Sequence, residues 1–138
     1  MTDGTLYTGK CLCGAVKLEF VGEPRWVGHC HCPSCQKVSG TGFATYAGFA
    51  KEHVRHVGEK PRSFKSTVGI KRSFCGDCGS PVSFEGEAWP GEFHVHLSML
   101  DKAPEFQPIG HAHIKTRMPW VHLEEDLIKF ERFPRGID

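Results

Sequence analysis

Residues 9–20 read GKCLCGAVKLEF. The last six, AVKLEF at 15–20, alternate apolar and polar side chains and place Val16, Leu18 and Phe20 on one face. That period of two is the signature of a half-buried strand. The pattern recurs along the chain. RWVGHCHC (25–32), FATYAGF (43–49), RSF (62–64), IKRSF (70–74), PVSF (81–84) and HAHI (111–114) read as short strands cut by glycine and proline turns. EFHVHLSM (92–99) alternates most cleanly, with Phe93, Val95, Leu97 and Met99 facing inward and His94, His96 and Ser98 outward. The tail from Val121 to Phe133 reads two ways: a short helix carried by Leu123, Leu127 and Phe130, or an irregular segment. Little else is helical, so the expected fold is all-β, built of small coiled sheets and hairpins.

The composition agrees. Sixteen glycines, nine prolines and ten phenylalanines suit strands joined by turns better than long helices. The 138 residues fit one domain spanning 1–138, with no repeat, low-complexity tract or linker, and with Pro104–Gly110 as a surface loop. A net charge of +1 leaves no electrostatic footprint for nucleic acid or an anionic membrane. No apolar run reaches 18 residues, and MTDGTLYTGK lacks the apolar centre of a secretory signal, so a cytoplasmic protein is expected.

Seven cysteines without an export signal point to metal rather than to disulfides. They fall into three groups: Cys11-Leu12-Cys13-Gly14, Cys30-His31-Cys32-Pro33-Ser34-Cys35, and Cys75-Gly76-Asp77-Cys78-Gly79. In extended chain, side chains two apart point the same way. Cys11 and Cys13 then share a face, as do Cys30 and Cys32, while His29 and His31 fall on the opposite side. The glycines after Cys13 and Cys78 supply backbone freedom for tight turns, because glycine tolerates positive φ. A structural zinc takes four thiolate or imidazole ligands. Cys11, Cys13, Cys75 and Cys78 make such a closed set, against the alternative of buried free thiols. Cys30, Cys32 and Cys35 stop at three, which is the pattern of a zinc with an open position. Two alternatives stay open: a second structural zinc completed by His53, His56, His94, His96, His111, His113 or His122, and no metal at all.

Four ordered blocks carry a resemblance: GKCLCGAVKLEF, CHCPSCQKVSGTGF, STVGIKRSFCGDCGSPVSF and HAHIKTRMPW, from about Gly9 to Phe130. With all seven cysteines in place, the chain resembles the glutathione-dependent formaldehyde-activating enzyme family, which also includes centromere protein V. The resemblance implies a β-rich coiled-sheet fold similar to that of methionine-R-sulfoxide reductases. It implies two zinc ions per chain, a structural one on Cys11, Cys13, Cys75 and Cys78 and a catalytic one on Cys30, Cys32 and Cys35. It also implies a carbon–sulfur lyase joining formaldehyde and glutathione into S-hydroxymethylglutathione, with a small-molecule thiol as partner; the charge and hydropathy above leave no nucleic acid or membrane among the expected partners. The namesake enzymes are longer than this chain, which puts the pocket-building regions in question. Two other readings of the same site are a thiol-binding protein without turnover and a zinc-stabilised interaction module.

The chemistry is coherent with an open zinc. A free thiol titrates near pH 8.5 and is mostly protonated at neutral pH, whereas coordination ionises it. Three thiolates on one Zn²⁺ leave a net negative centre, a weak Lewis acid, so delivery of a thiolate is preferred to polarisation of the aldehyde oxygen. Glutathione carries two carboxylates, for which Lys37, Lys71 and Arg72 beside the cysteine blocks are candidate partners, each with the plainer reading of a solvated cation. Ser39–Phe43 offers either backbone donors near the second centre or a turn into the next strand. His94 with His96, and His111 with His113, are H-x-H pairs that read first as solvated faces. Trp120 reads as packing and Asp77 as a turn residue.

Overall fold

The protein is described here by a computed structural model covering residues 4–123 and 126–132. It is all-β in class, as the alternation requires. The strands are β1 (Leu6–Lys10), β2 (Lys17–Val21), β3 (Trp26–Cys30), β4 (Ala44–Ala50), β5 (Val54–His56), β6 (Arg62–Thr67), β7 (Ile70–Phe74), β8 (Pro81–Gly86), β9 (Glu92–His96), β10 (Gly110–Ala112) and β11 (Ile128–Lys129). One α-helix, α1 (Pro33–Ser39), and four short 3-10 turns complete the described residues.

The strands form two sheets. A three-stranded sheet runs β1-β2-β5, and an eight-stranded sheet runs β11-β10-β3-β4-β9-β8-β7-β6. Neighbours are antiparallel except at one end, where β10 lies parallel to both β3 and β11. The main core fills the space between the sheets. Val16, Leu18 and Phe20 lie at 1%, 1% and 0% exposure, as the alternation in AVKLEF predicts, and pack with Val27, Phe49, Val82, Phe93 and Val95. A smaller cluster of Cys35, Ala44 and Tyr46, with Trp26 and Phe84 against it, covers the other face of the large sheet. Central β4 is therefore apolar on both sides and mostly buried along its length.

This second cluster corrects one expectation. Phe93, Val95, Leu97 and Met99 are buried and Ser98 is exposed as read, but His94 and His96 are buried too, at 1% and 5% exposure. Their face of β9 packs under aromatic rings instead of meeting water. His111 is likewise buried, not solvated. Four elements lie outside the strands read from alternation: β1, β5, β11 and α1. Of the tail, residues 124–125 and 133 lie outside the described residues. The described part holds β11 rather than a helix, hydrogen-bonded beside β10. None of the described helices is long and apolar enough to cross a membrane.

Candidate functional site

Two groups of sulfurs converge. The Sγ atoms of Cys11, Cys13, Cys75 and Cys78 all lie within 4.8 Å of one another. Cys11–Gly14 is the turn that leaves β1, and Cys75–Gly79 is the turn between β7 and β8. Gly14 and Gly79 take φ of +83° and +80°, the left-handed conformation that the Cys-x-Cys-Gly and Cys-x-x-Cys-Gly spacings anticipate. Their N–H groups donate back to the carbonyls of Cys11 at 3.1 Å and Cys75 at 2.9 Å. The sulfurs of Cys11 and Cys13 thus meet through a turn, not through the shared face of an extended strand.

Backbone N–H groups then aim at sulfur: Val16 at Cys11 (3.3 Å), and Asp77 and Cys78 at Cys75 (3.4 Å each). Such donors favour the ionised form. The Ser80 hydroxyl and N–H hold the Cys78 thiol down to about 5. The Sγ separations are 3.6 Å for Cys11–Cys13 and 3.8 Å for Cys13–Cys75. A tetrahedral zinc with Zn–S of about 2.3 Å needs S–S edges of about 3.8 Å. The set fits a four-coordinate ion.

The second group is built by the junction of β3 and α1. Cys30 ends the strand and Cys32 caps the helix, its Sγ accepting from the Cys35 N–H at 3.3 Å. Pro33 occupies the first helical turn, where its missing N–H costs nothing. The three Sγ atoms lie within 4.8 Å of one another, and no histidine, cysteine or carboxylate among the described residues joins them. None of the seven candidate histidines therefore closes the set. Hydrogen bonding to Cys32 and Cys35 pushes the Cys30 thiol up, while the same bonds, from Cys30 first, bring Cys32 down to about 2. Three thiols this close do not all ionise unaided; a divalent cation lets them, so the donor set suits one.

A buried polar pair backs this centre. The Tyr46 hydroxyl donates to Cys35 Sγ at 3.2 Å, and Arg72 Nη1 donates to the Tyr46 oxygen at 3.3 Å. Arg72 is only 7% exposed, its Nε bonded to Ser66 at 3.2 Å and its guanidinium 5.3 Å from the Phe84 ring centre. No carboxylate forms an ion pair with Arg72 among the described residues. Burial opposes its charge, but the Tyr46 oxygen and Cys35 sulfur override that and raise its pKa. Through Tyr46 it faces the Cys35 sulfur. Behind the opposite side of β3, His31 Nε2 and His111 Nδ1 share a hydrogen bond of 2.9 Å, and His29 stacks on His111.

Cys30 also opens into a cavity of about 290 Å³ on the outer face of the large sheet. Buried Tyr46 and His94 line its base, Trp26, Phe84 and Trp89 its walls, and the exposed Ile109 and Ile128 its rim. Glu92 is its lone carboxylate among the described residues, accepting from His94 Nε2 at 2.8 Å, Trp26 Nε1 at 3.3 Å and Arg25 Nη1 at 3.3 Å.

The cations proposed from sequence go elsewhere. Arg72 turns inward to the sulfurs, so it is no surface cation. Lys71 pairs with Glu85 at 3.3 Å, and Lys37 is exposed on the last turn of α1. Gly40 caps α1 with its N–H on the Gln36 carbonyl at 2.9 Å, so Ser39–Phe43 is a turn into β4. Trp120 packs with Val121 over Gly42, outside the cavity, and Asp77 is a turn residue. Sequence reasoning missed Tyr46 and the aromatic walls, and it singled out Arg72 for a different role, as a partner for substrate carboxylates. Arg72 did leave a signal: it shares a strand face with Ile70 and Phe74, an apolar register in which a cation needs a buried partner.

The family described as glutathione-dependent formaldehyde-activating enzyme matches residues 6–116, which hold all seven cysteines. An uncharacterized lyase of Schizosaccharomyces pombe is 30% identical over 78 residues, 56% of this chain and 56% of that protein. The match thus spans little more than half of the curated relative. A crystal structure of a Rhodobacter sphaeroides protein superposes with a TM-score of 0.59 at 24% identity, covering 69% of this chain and 88% of that one. That likeness is one of fold.

Proposed function

Because the chain belongs to the glutathione-dependent formaldehyde-activating enzyme family, we propose that its three-cysteine centre carries out zinc-dependent carbon–sulfur chemistry on a thiol and an aldehyde. In the forming direction the thiol sulfur attacks the carbonyl carbon. One C–S bond forms, the C=O π pair moves to oxygen, and that oxygen takes the proton the thiol gave up. The product is a hydroxymethyl thioether, and cleavage is the reverse. On this reading residues 1–138 are one zinc-binding domain of a carbon–sulfur lyase, S-hydroxymethylglutathione synthase-like, in a reducing, cytoplasmic setting.

The observation that carries the proposal is the arrangement at Cys30, Cys32 and Cys35. Three sulfurs converge, no fourth protein ligand joins them among the described residues, and Cys30 opens into a cavity. Cys30, Cys32 and Cys35 would hold a catalytic zinc, and Cys11, Cys13, Cys75 and Cys78 a structural one. A zinc bound at the first set supplies a thiol ionised at neutral pH. The chain's own residues do the rest. Arg72, through Tyr46, offsets the charge gathered on Cys35. Trp26, Phe84 and Trp89 exclude water from the side where a substrate enters, which strengthens every electrostatic contact within.

The test is exchange NMR on formaldehyde mixed with thiols, glutathione included, with and without zinc-loaded protein. The uncatalysed reaction already proceeds, so exchange rates are compared. An acceleration that disappears in Cys32→Ser is expected. No acceleration with any thiol would leave a binding protein without turnover.

A further inference from the structure

The cavity that reaches Cys30 is chemically unlike glutathione. We propose that the thiol served by the three-cysteine centre is uncharged and apolar, carrying an aryl or branched alkyl group, rather than a charged tripeptide; this rests on reading the centre as a carbon–sulfur site. Trp26, Phe84 and Trp89 wall the cavity, with Ile109, Ile128 and Phe130 around them. The rings stand edge to face: Phe84 meets Trp89 at 79° and His94 at 87°, and Trp26 meets His94 at 81°. Such a box presents ring faces and edges to a further aromatic or branched group. At about 290 Å³ it sits at the small end of ligand sites, with room for one such group beside Cys30.

The charges point the same way. Glutathione brings two carboxylates and one ammonium. No lysine or arginine lines the cavity among the described residues. Arg72 is sealed beneath Tyr46, and Lys51 and Lys71 are both committed to Glu85 at 2.7 and 3.3 Å. The charged group that does line the cavity, Glu92, has the wrong sign for a carboxylate and already accepts three donors. Burial lowers the pKa of His94, which works against a compensating charge there. A carboxylate drawn from water into this space would find no lysine or arginine in the lining among the described residues to offset its desolvation. An uncharged body incurs no such penalty and removes apolar surface from water.

The experiment compares phenylmethanethiol with glutathione on the zinc-loaded full chain. Exchange NMR reads each thiol's acceleration with formaldehyde over its own uncatalysed rate. A titration of tryptophan fluorescence, from Trp26 and Trp89 in the walls, reads binding of each thiol alone. The expected result is an acceleration and an affinity for phenylmethanethiol at least about tenfold above those for glutathione. Ile128→Lys, which adds a cation at the exposed rim, should narrow that gap. Equal or better acceleration and binding with glutathione overturns the proposal while leaving carbon–sulfur chemistry in place. Acceleration with neither thiol overturns the chemistry, and the titration then decides alone: preference for phenylmethanethiol sustains an apolar thiol site, and no preference removes it.

Discussion

Arg72 stands on β7 with its guanidinium turned toward Tyr46 and, beyond it, Cys35. Three thiolates on a divalent ion would leave one surplus negative charge, which this buried cation would face. Arg72→Met should therefore loosen the ion at Cys30, Cys32 and Cys35 by about 10–100-fold, the usual effect of losing an outer-shell partner, and leave the four-cysteine ion in place. Stepwise release to a chelator measures both, and Arg72→Lys should recover part of the loss. The metal ligands themselves were legible in the sequence, because Cys-x-Cys and Cys-x-x-Cys spacings speak directly of turns and convergent sulfurs. Tyr46 and Arg72 were not, because their role arises from pairing β4 and β7 across the sheet, a relation no local pattern carries. His96 was misread for a related reason: its alternation was right, but both faces of β9 are covered. Burial first, then Arg72, lowers its pKa to about 4, from 6.5. The groups facing it are Tyr46 from β4 and Arg72 from β7. Above pH 6.5 the ring is neutral folded or unfolded. As pH falls through 6.5 toward 4, the unfolded chain takes up a proton that the folded one refuses. Stability should then drop by up to about 3 kcal/mol from this group, at about 1.4 kcal/mol per pH unit. Urea titrations of wild type and His96→Phe across that range should differ in slope, with the variant the flatter.

At the scale of elements, the strands with their own apolar alternation were the readable ones: β2, β3, β4, β7, β8 and β9, with β6 and β10 read in part from the short runs RSF and HAHI. β1 escaped because Leu6–Lys10 has one buried residue, Gly9; the strand is held by its pairing to β2 and the bridge from Gly9 to Leu100, not by an apolar face. α1 escaped because seven residues leave too little room for helical periodicity. Its signals are a sulfur cap and a proline, both inside a motif that reads first as a metal ligand set. β11 is two residues long and exists through its partner β10. The pairing of β3 with β4 has a consequence for the cavity. Trp26 lies across Gly48, its register partner, and a Cβ there would fall 2.4 Å from the Trp26 ring. Gly48→Ala should push the indole off the strand and break its bond to Glu92. A loss of about 1–3 kcal/mol in stability is expected, as for other overpacked sites. Near-ultraviolet circular dichroism should change with it, while the zinc content stays at wild-type level.

Across the whole molecule, the four-cysteine centre joins the two sheets. Cys11 and Cys13 leave the small sheet after β1, Cys75 and Cys78 turn the large one between β7 and β8, and Cys13 and Cys75 are 62 residues apart. Cys11 and Cys75 are also core residues, at 4% and 1% exposure. An ion held here would close a long loop, and its loss would open the core around it. Structural zinc contributes about 10–16 kcal/mol in small domains, as large as the total stability of a typical one. The three-cysteine centre spans residues 30–35 and ties only the end of β3 to the start of α1. Removing a ligand from each should have unequal effects. Cys78→Ser should yield an unfolded or aggregated chain with its β-sheet circular dichroism lost. Cys32→Ser should keep a cooperative thermal transition and the β-sheet spectrum, with zinc content falling from two ions to one. Equal unfolding by both substitutions would make both centres structural and remove the open site on which the carbon–sulfur chemistry depends. Retention of fold by both would mean that the apolar packing between the sheets, centred on Phe20, Phe49 and Phe93, holds the molecule without a metal staple.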